Sequence, residues 1–345
     1  MLSRLLAHGD FLNLSRFSPD AVKPQTLQLE NSVRVHIIAP GIVAFYPQVL
    51  NPESKYIVLS SGVHGNETAP IEICDDLVKR LFTGSLVPAH AVLFQFGNLD
   101  AMAIAKRFTE ENMNRLFCGA HSAGEGRVND ERIRAKQLED TMAAFFADAG
   151  DNAEKLHYDL HTAIRESKNE KFAVYPFLHG KPYSREQLSF MKACGVKTIL
   201  LSESATTTYS YHSSLNHGAH SFTVELGKVQ PFGQNDMARF EEARNTLTSL
   251  VCEPHLSLDD DLSDMVIYRV NQVINKQADD FVLHFADDTP NFMDFKKGDK
   301  LASETGAEYF AEQDGEAVVF PNANVAIGQR AILSVVPASL EYINV

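Results

Sequence analysis

Tyr56-Ile57-Val58-Leu59, continuing into Ser60-Ser61-Gly62-Val63-His64-Gly65-Asn66-Glu67, is an apolar run that opens into two glycines, an imidazole and a carboxylate. The apolar run reads as a buried strand. After Glu67, residues Ile71, Ile73, Cys74, Leu77, Val78 and Leu81 fall at helical spacing, and Gly84 ends the pattern. His64 and Glu67 therefore stand where a buried strand opens into the next element, which is where an α/β fold keeps its chemistry. An imidazole and a carboxylate three residues apart can reach one zinc ion together, and the glycines beside His64 let the backbone turn tightly around it. A helix-start carboxylate beside an incidental histidine would give the same string, so a metal reading needs a further ligand from elsewhere in the chain.

Working outward, Val33, Val35 and Ile37 alternate and Ile42-Val43-Ala44-Phe45-Tyr46 is apolar, which predicts two strands joined by the Ala39-Pro40-Gly41 turn. Residues 3–29 show no long periodicity and read as one short helix with an irregular lead-in. Downstream, a strand is expected over 91–96, then a polar loop over 106–130 marked by Gly124 and Gly126. A helix over 131–147 would turn Ile133, Leu138, Met142 and Phe145 inward. Further strands are expected at 156–161, 172–175, 196–201 and 221–226, with helices over 184–194, carrying Leu188 and Met191 inward, and over 235–251. Alternation of this kind is an α/β signature. Around 254–264 the composition shifts to Asp, Ser and Leu, as in a linker. Short apolar runs then recur at 266–270, 281–285, 317–320 and 331–336, between polar stretches containing Gly298, Gly306, Gly315 and Gly328. The expected organisation is a catalytic α/β domain over residues 1–253 and a smaller β-rich domain over 264–345.

The 345 residues, 44% of them hydrophobic, suffice for a sizeable core, and the formal net charge of -14 argues against non-specific binding to nucleic acid. An acidic protein that handles an anionic small molecule must concentrate arginine or metal locally. The first nine residues are interrupted too soon by Asp10 to read as a signal peptide, and no uncharged apolar run reaches membrane-spanning length, so a cytoplasmic protein is expected. Cys74, Cys118, Cys194 and Cys252 share no Cys-x-x-Cys spacing and read as buried or incidental thiols.

A catalytic zinc takes three protein ligands and leaves a position for water. Asp159-Leu160-His161 offers His161 at the end of a neighbouring strand, with His157 and His179 as rivals. Amide hydrolysis also needs a group that takes a proton and passes it to the leaving nitrogen. Glu225, a carboxylate set in the apolar run Phe222-Thr223-Val224-Glu225-Leu226-Gly227, suits that role; a buried ion pair is the plainer reading, and Glu203 competes. Asn114-Arg115 places an amide and a guanidinium side by side in the polar loop, with Arg107 eight residues earlier. Arginine can grip a carboxylate through two parallel hydrogen bonds or stabilise an oxyanion.

These motifs, in this order from Gly62 to Gly227, resemble the succinylglutamate desuccinylase and aspartoacylase family, itself related to zinc carboxypeptidases. The resemblance implies a zinc-carboxypeptidase-like mixed sheet flanked by helices, with a β-rich C-terminal domain. It implies one zinc ion per chain held by His64, Glu67 and His161, with Glu225 as the catalytic carboxylate. It further implies Arg107 on the scissile carbonyl, and Asn114 and Arg115 on a substrate carboxylate. Asp159-Leu160-His161-Thr162-Ala163-Ile164-Arg165 and Glu225-Leu226-Gly227-Lys228 with Pro231-Phe232-Gly233 look more like the bacterial desuccinylase branch than the animal aspartoacylases. The substrate implied is a small N-acyl amino acid, N2-succinyl-L-glutamate, cleaved to succinate and L-glutamate in arginine breakdown. Hydrolysis of another N-acyl amino acid is the nearest alternative, a short-peptide carboxypeptidase is further off, and a non-enzymatic binding module would hold no metal.

Overall fold

The computed structural model describes residues 2–343. Among them the helices in chain order are α1 Leu2–His8, α2 Phe11–Phe17, α3 Thr68–Phe82, α4 Leu99–Ala103, α5 Asp130–Ala147, α6 Arg185–Ala193, α7 Tyr209–His217 and α8 Glu241–Cys252. The strands of the first part are β1 Gln25–Gln28, β2 Arg34–Ala39, β3 Ile42–Tyr46, β4 Tyr56–Ser61, β5 Ala91–Phe96, β6 Lys155–Ala163, β7 Phe172–Tyr175, β8 Thr198–Leu201 and β9 His220–Lys228. Those of the second are β10 Val266–Asn275, β11 Val282–Leu283, β12 Met293–Phe295, β13 Lys300–Glu304, β14 Ala307–Phe310, β15 Glu316–Val319 and β16 Arg330–Ala338.

Thirteen of these described strands form one mixed sheet in the order β1-β2-β3-β5-β4-β6-β9-β7-β8-β10-β16-β15-β12. Its centre, β5-β4-β6-β9, is parallel, and every residue of β4 and β5 is buried. Parallel strands covered on both faces need apolar side chains in both directions, which is why β4 begins as an unbroken apolar run. Ile57 and Leu59 point into a core shared with α1, α2, α3, α6 and α8, while Val58 points into the opposite core with α5 and Tyr209 of α7. The remaining strands, β11-β13-β14, make a small antiparallel sheet over a core of Leu301, Val318 and Ile332. The architecture is a carboxypeptidase-like mixed sheet flanked by helices with a β-rich C-terminal part. None of the described helices is long and apolar enough to cross a membrane.

Several elements depart from the sequence expectation. The N-terminal segment forms two helices, because the chain breaks at Gly9, whose φ of 61° is left-handed and whose missing Cβ leaves room for the Lys79 backbone. Edge strand β1 follows, half-exposed along its length and so without an apolar signature. Ile133 is 58% exposed rather than inward; the buried stripe of α5 is Ala135, Leu138, Met142, Phe145 and Phe146, and Ile133 falls out of phase with it. The helix expected over 235–251 starts as a 3-10 turn, Met237–Phe240, before α8. Helix α7 is absent from the sequence reading because its buried residues include Ser210, His212, Ser213 and Ser214, which give no apolar period.

Candidate active site

The C-terminal ends of β4, β6 and β9 lie side by side, with Ser61 opposite Leu160 and His161 opposite Glu225 in parallel register. At the end of β4, Gly62 adopts φ 67°, and a side chain there would overlap Met102 of α4. The chain can therefore turn inward and bring His64 beneath the sheet's end before α3 starts after Glu67. The Gly65 N–H donates to the Arg107 carbonyl (3.1 Å), which pins the Arg107 loop to the same turn.

His64, Glu67 and His161 are all buried, and one ligand atom from each lies within 4.8 Å of the others, a group that can hold a metal ion. Glu67 is at the centre. Its Oε2 lies 2.8 Å from His161 Nδ1 and accepts from the Thr162 N–H (3.2 Å); its Oε1 accepts from the Arg107 guanidinium (2.5 Å). His64 Nδ1 is 2.9 Å from Glu67 Oε1, yet it is buried with no aligned hydrogen-bond partner among the described residues. A bare ring nitrogen and a carboxylate oxygen turned past each other fit a cation between them better than a hydrogen bond. The donor set of two imidazoles and one carboxylate matches that of open catalytic zinc sites.

The far side of each imidazole is also held. Asn112 Oδ1 accepts from His64 Nε2–H (2.9 Å), which leaves Nδ1 free for a ligand. His161 Nε2 lies 2.8 Å from Asp159 Oδ2, and the Ser60 hydroxyl donates to Asp159 Oδ1 (2.6 Å). His157 stands behind Ser60, with Nε2 2.8 Å from the Ser60 Oγ and Nδ1 2.8 Å from the Ser213 Oγ of α7. Because the Ser60 hydrogen goes to Asp159, His157 donates from Nε2 to the Ser60 Oγ.

The electrostatics follow from this packing. Burial alone would raise the Glu67 carboxyl, but the charges of His64, His161 and Arg107 hold it well below the carboxylate range. Burial would likewise depress His161, yet Asp159 and Glu67 raise it well above the usual imidazole value. His64 is lowered to about 4 by burial and by Arg107. Glu225 moves the other way: burial, with the neighbouring Glu67 charge, raises it to about 7, and its Oε2 is buried without a hydrogen-bond partner among the described residues.

Of the rivals, His157 supports His161 from behind, His179 bonds the Tyr211 hydroxyl (2.8 Å), and exposed Glu203 accepts from the Tyr342 hydroxyl (2.9 Å). Asn114 is buried, and its Oδ1 accepts from the Tyr209 N–H (3.0 Å), so only its amide NH2 remains for a ligand. Arg115 is exposed, its Nη1 donates to the Asn114 carbonyl (2.8 Å), and crowding by the surrounding protein, with the charges of Arg330 and Arg107, lowers it to about 10. Sequence reasoning missed the supporting roles of Asn112, Asp159 and Ser60; the alternation of His157, Asp159 and His161 along one face of β6 was the signal available for Asp159.

Comparison with known proteins bears on this geometry. The family model described as succinylglutamate desuccinylase/aspartoacylase catalytic domain matches residues 53–251, and that of the AstE/AspA barrel-sandwich hybrid domain matches 263–338. A succinylglutamate desuccinylase of Pseudoalteromonas atlantica is 56% identical over 344 residues, covering 99% of this chain and 98% of the relative. The crystal structure of a succinylglutamate desuccinylase from Chromobacterium violaceum aligns at TM-score 0.83 and 38% identity, covering 96% of this chain and 98% of the other. One from Vibrio parahaemolyticus aligns at TM-score 0.87 and 32% identity, covering 95% of each chain.

Proposed function

The chain belongs to the succinylglutamate desuccinylase/aspartoacylase family, and we propose that within it this protein hydrolyses N2-succinyl-L-glutamate to succinate and L-glutamate. The reaction would close the succinyltransferase route of arginine breakdown. The observation that carries the reading is the pairing of a buried His64, Glu67 and His161 group with an unpartnered carboxyl, Glu225, in register with His161.

In this reading one zinc ion is held by His64, Glu67 and His161. When bound there, zinc lowers the pKa of water and polarises a carbonyl oxygen. Asn112 and Asp159 keep the two imidazoles turned to their ligand nitrogens. Glu225 takes a proton from the attacking water and returns one to the departing amino nitrogen, a task that suits a carboxyl raised to about 7. Arg107, anchored beside Glu67, donates to the oxygen on which negative charge develops. Asn114, through its free NH2, and Arg115 hold a substrate carboxylate. In a chain of net charge -14, Arg107 and Arg115 would give an anionic substrate its local attraction. Residues 1–253 would supply the chemistry and 264–345 the outer wall of the pocket.

The test is release of free glutamate from N2-succinylglutamate, with and without a zinc chelator, beside N-acetylaspartate as a second substrate. Fast, chelator-sensitive release with little turnover of N-acetylaspartate is expected. No release from zinc-loaded protein, with turnover of N-acetylaspartate instead, would move the substrate to the aspartoacylase type.

A further inference from the structure

Glu131 stands in the first turn of α5, the end of a helix that favours negative charge. A glutamate there meets that preference while facing water, yet Glu131 is only 1% exposed. Its Oε1 accepts from the Thr109 N–H (2.6 Å), the Thr109 hydroxyl, the Glu110 N–H (3.3 Å) and the Asn98 amide NH2 (3.2 Å). Burial would raise the carboxyl, but these donors hold it below its usual value, so it is an anion at neutral pH. Its Oε2 is buried without a hydrogen-bond partner among the described residues. The group's hydrogen bonds therefore converge on one atom, and most of them come from the two residues Thr109 and Glu110, just beyond Arg107.

Arg107 is also held from its other side. Its carbonyl accepts from the Gly65 N–H (3.1 Å) and its guanidinium donates to Glu67 (2.5 Å). Residues 108–110 are exposed, so apolar packing does not fix them, and the Glu131 carboxylate is the anchor at that end. The same Oε1 takes the side chain of Asn98, whose own N–H donates to the Gly62 carbonyl (2.7 Å) at the turn leading to His64. One buried oxygen thus ties the Arg107 segment to the turn of the metal group. The next stretch has an anchor of its own, because Arg132 grips Glu111 through Nε (2.7 Å) and Nη2 (2.8 Å). Loss of Glu131 would loosen the Arg107 end of the loop and leave the Asn112 to Arg115 end in place.

We propose that Glu131 is a positioning residue for Arg107: through Thr109 and Glu110 it holds the segment that aims the Arg107 guanidinium at the oxygen on which negative charge develops. The inference rests on the hydrolytic reading above and on the role of Arg107 within it. A donor to a developing oxyanion works because it is aimed before the charge forms, and a displacement of about 1 Å can cost about 10²-fold in rate. The effect of Glu131 therefore belongs in kcat more than in KM.

The experiment is a double-mutant cycle on zinc-loaded protein: wild type, Glu131→Gln, Arg107→Ala and the double variant, each with N2-succinylglutamate. Glutamine keeps the shape and a neutral acceptor but loses the charge that strengthens the hydrogen bonds. Glu131→Gln is expected to lower kcat about tenfold with KM changed less than about threefold. In the Arg107→Ala background the same change should cost less than about twofold, because the group it positions is gone. An unchanged kcat in the single variant, or a tenfold loss that persists without Arg107, would overturn the proposal and leave the desuccinylase reading intact. Should Glu131→Gln fail to fold, Thr109→Val removes the hydroxyl from the same contact at an exposed position, with a loss of about threefold expected and the same dependence on Arg107. If wild type releases no glutamate, the desuccinylase reading falls instead, and amide hydrogen exchange decides the proposal without substrate. Faster exchange in Glu131→Gln confined to residues 107–112, with 138–147 still protected, supports it; unchanged exchange over 107–112 overturns it.

Discussion

Glu67 and Glu225 are both buried carboxyl groups at the ends of neighbouring elements, yet their surroundings drive them in opposite directions. Glu67 is met by two imidazoles, an arginine and a backbone N–H, and is held ionised. Glu225 faces the Glu67 charge in a desolvated position and is raised to about 7. The difference between them assigns roles: the first group suits a cation, the second suits proton transfer. Glu225→Gln keeps the shape but cannot exchange a proton. We expect it to bind zinc at wild-type stoichiometry while kcat falls by about 10²- to 10⁴-fold. Metal analysis beside single-substrate kinetics reads both quantities, and an unchanged kcat would remove Glu225 from the proton path. At this scale much of the site was legible, because His64, Glu67, His161 and Glu225 are polar residues at or near the ends of apolar strands. Asn112 was not, since it lies in a stretch without periodicity and its place depends on a contact distant in sequence.

At the scale of elements, β6 does more than present one histidine. His157, Asp159 and His161 share one face of the strand, and Ser60 of adjacent β4 links the first two. Helix α7 closes the line from behind through the Ser213 hydroxyl. That packing explains why α7 escaped the sequence reading: a helix that covers polar groups needs serine and histidine on its buried face, and the period-3.6 apolar pattern is lost. Helix α3, which packs on an apolar sheet face, was legible from its buried Ile71, Cys74, Leu77 and Val78. The β6 arrangement predicts a measurable effect from a residue that itself faces away from the candidate metal position. Asp159→Asn retains volume but loses the charge behind His161 Nε2, and zinc affinity should drop by about 10- to 100-fold. Competition against a chromogenic chelator measures it directly; unaltered affinity would reduce Asp159 to a packing role.

Across the whole molecule, the change of composition near residue 254 marks a real surface connection, but the main sheet continues past it. Strand β10 pairs in parallel with β8 from Val266 opposite Thr198 to Arg269 opposite Leu201, and β16, β15 and β12 extend the sheet further. Phe172 and Leu200 of the first part share a core with Phe292, Ala317, Val319, Leu333 and Val335 of the second. Short β-runs can be read from sequence, but which existing sheet they join cannot, because register is set by partners far along the chain. The join has a consequence for stability. A chain ending at residue 262 would leave β8, buried at all four positions, as an open edge, and would strip the apolar cover from Phe172. Unpaired edge strands with exposed apolar faces associate with one another. The truncated chain should therefore elute as aggregate in size-exclusion chromatography and bind no stoichiometric zinc. Recovery as a folded monomer with wild-type zinc content would mean that the first part's strands hold together without β10. In that case the second part would serve the substrate alone and not the fold.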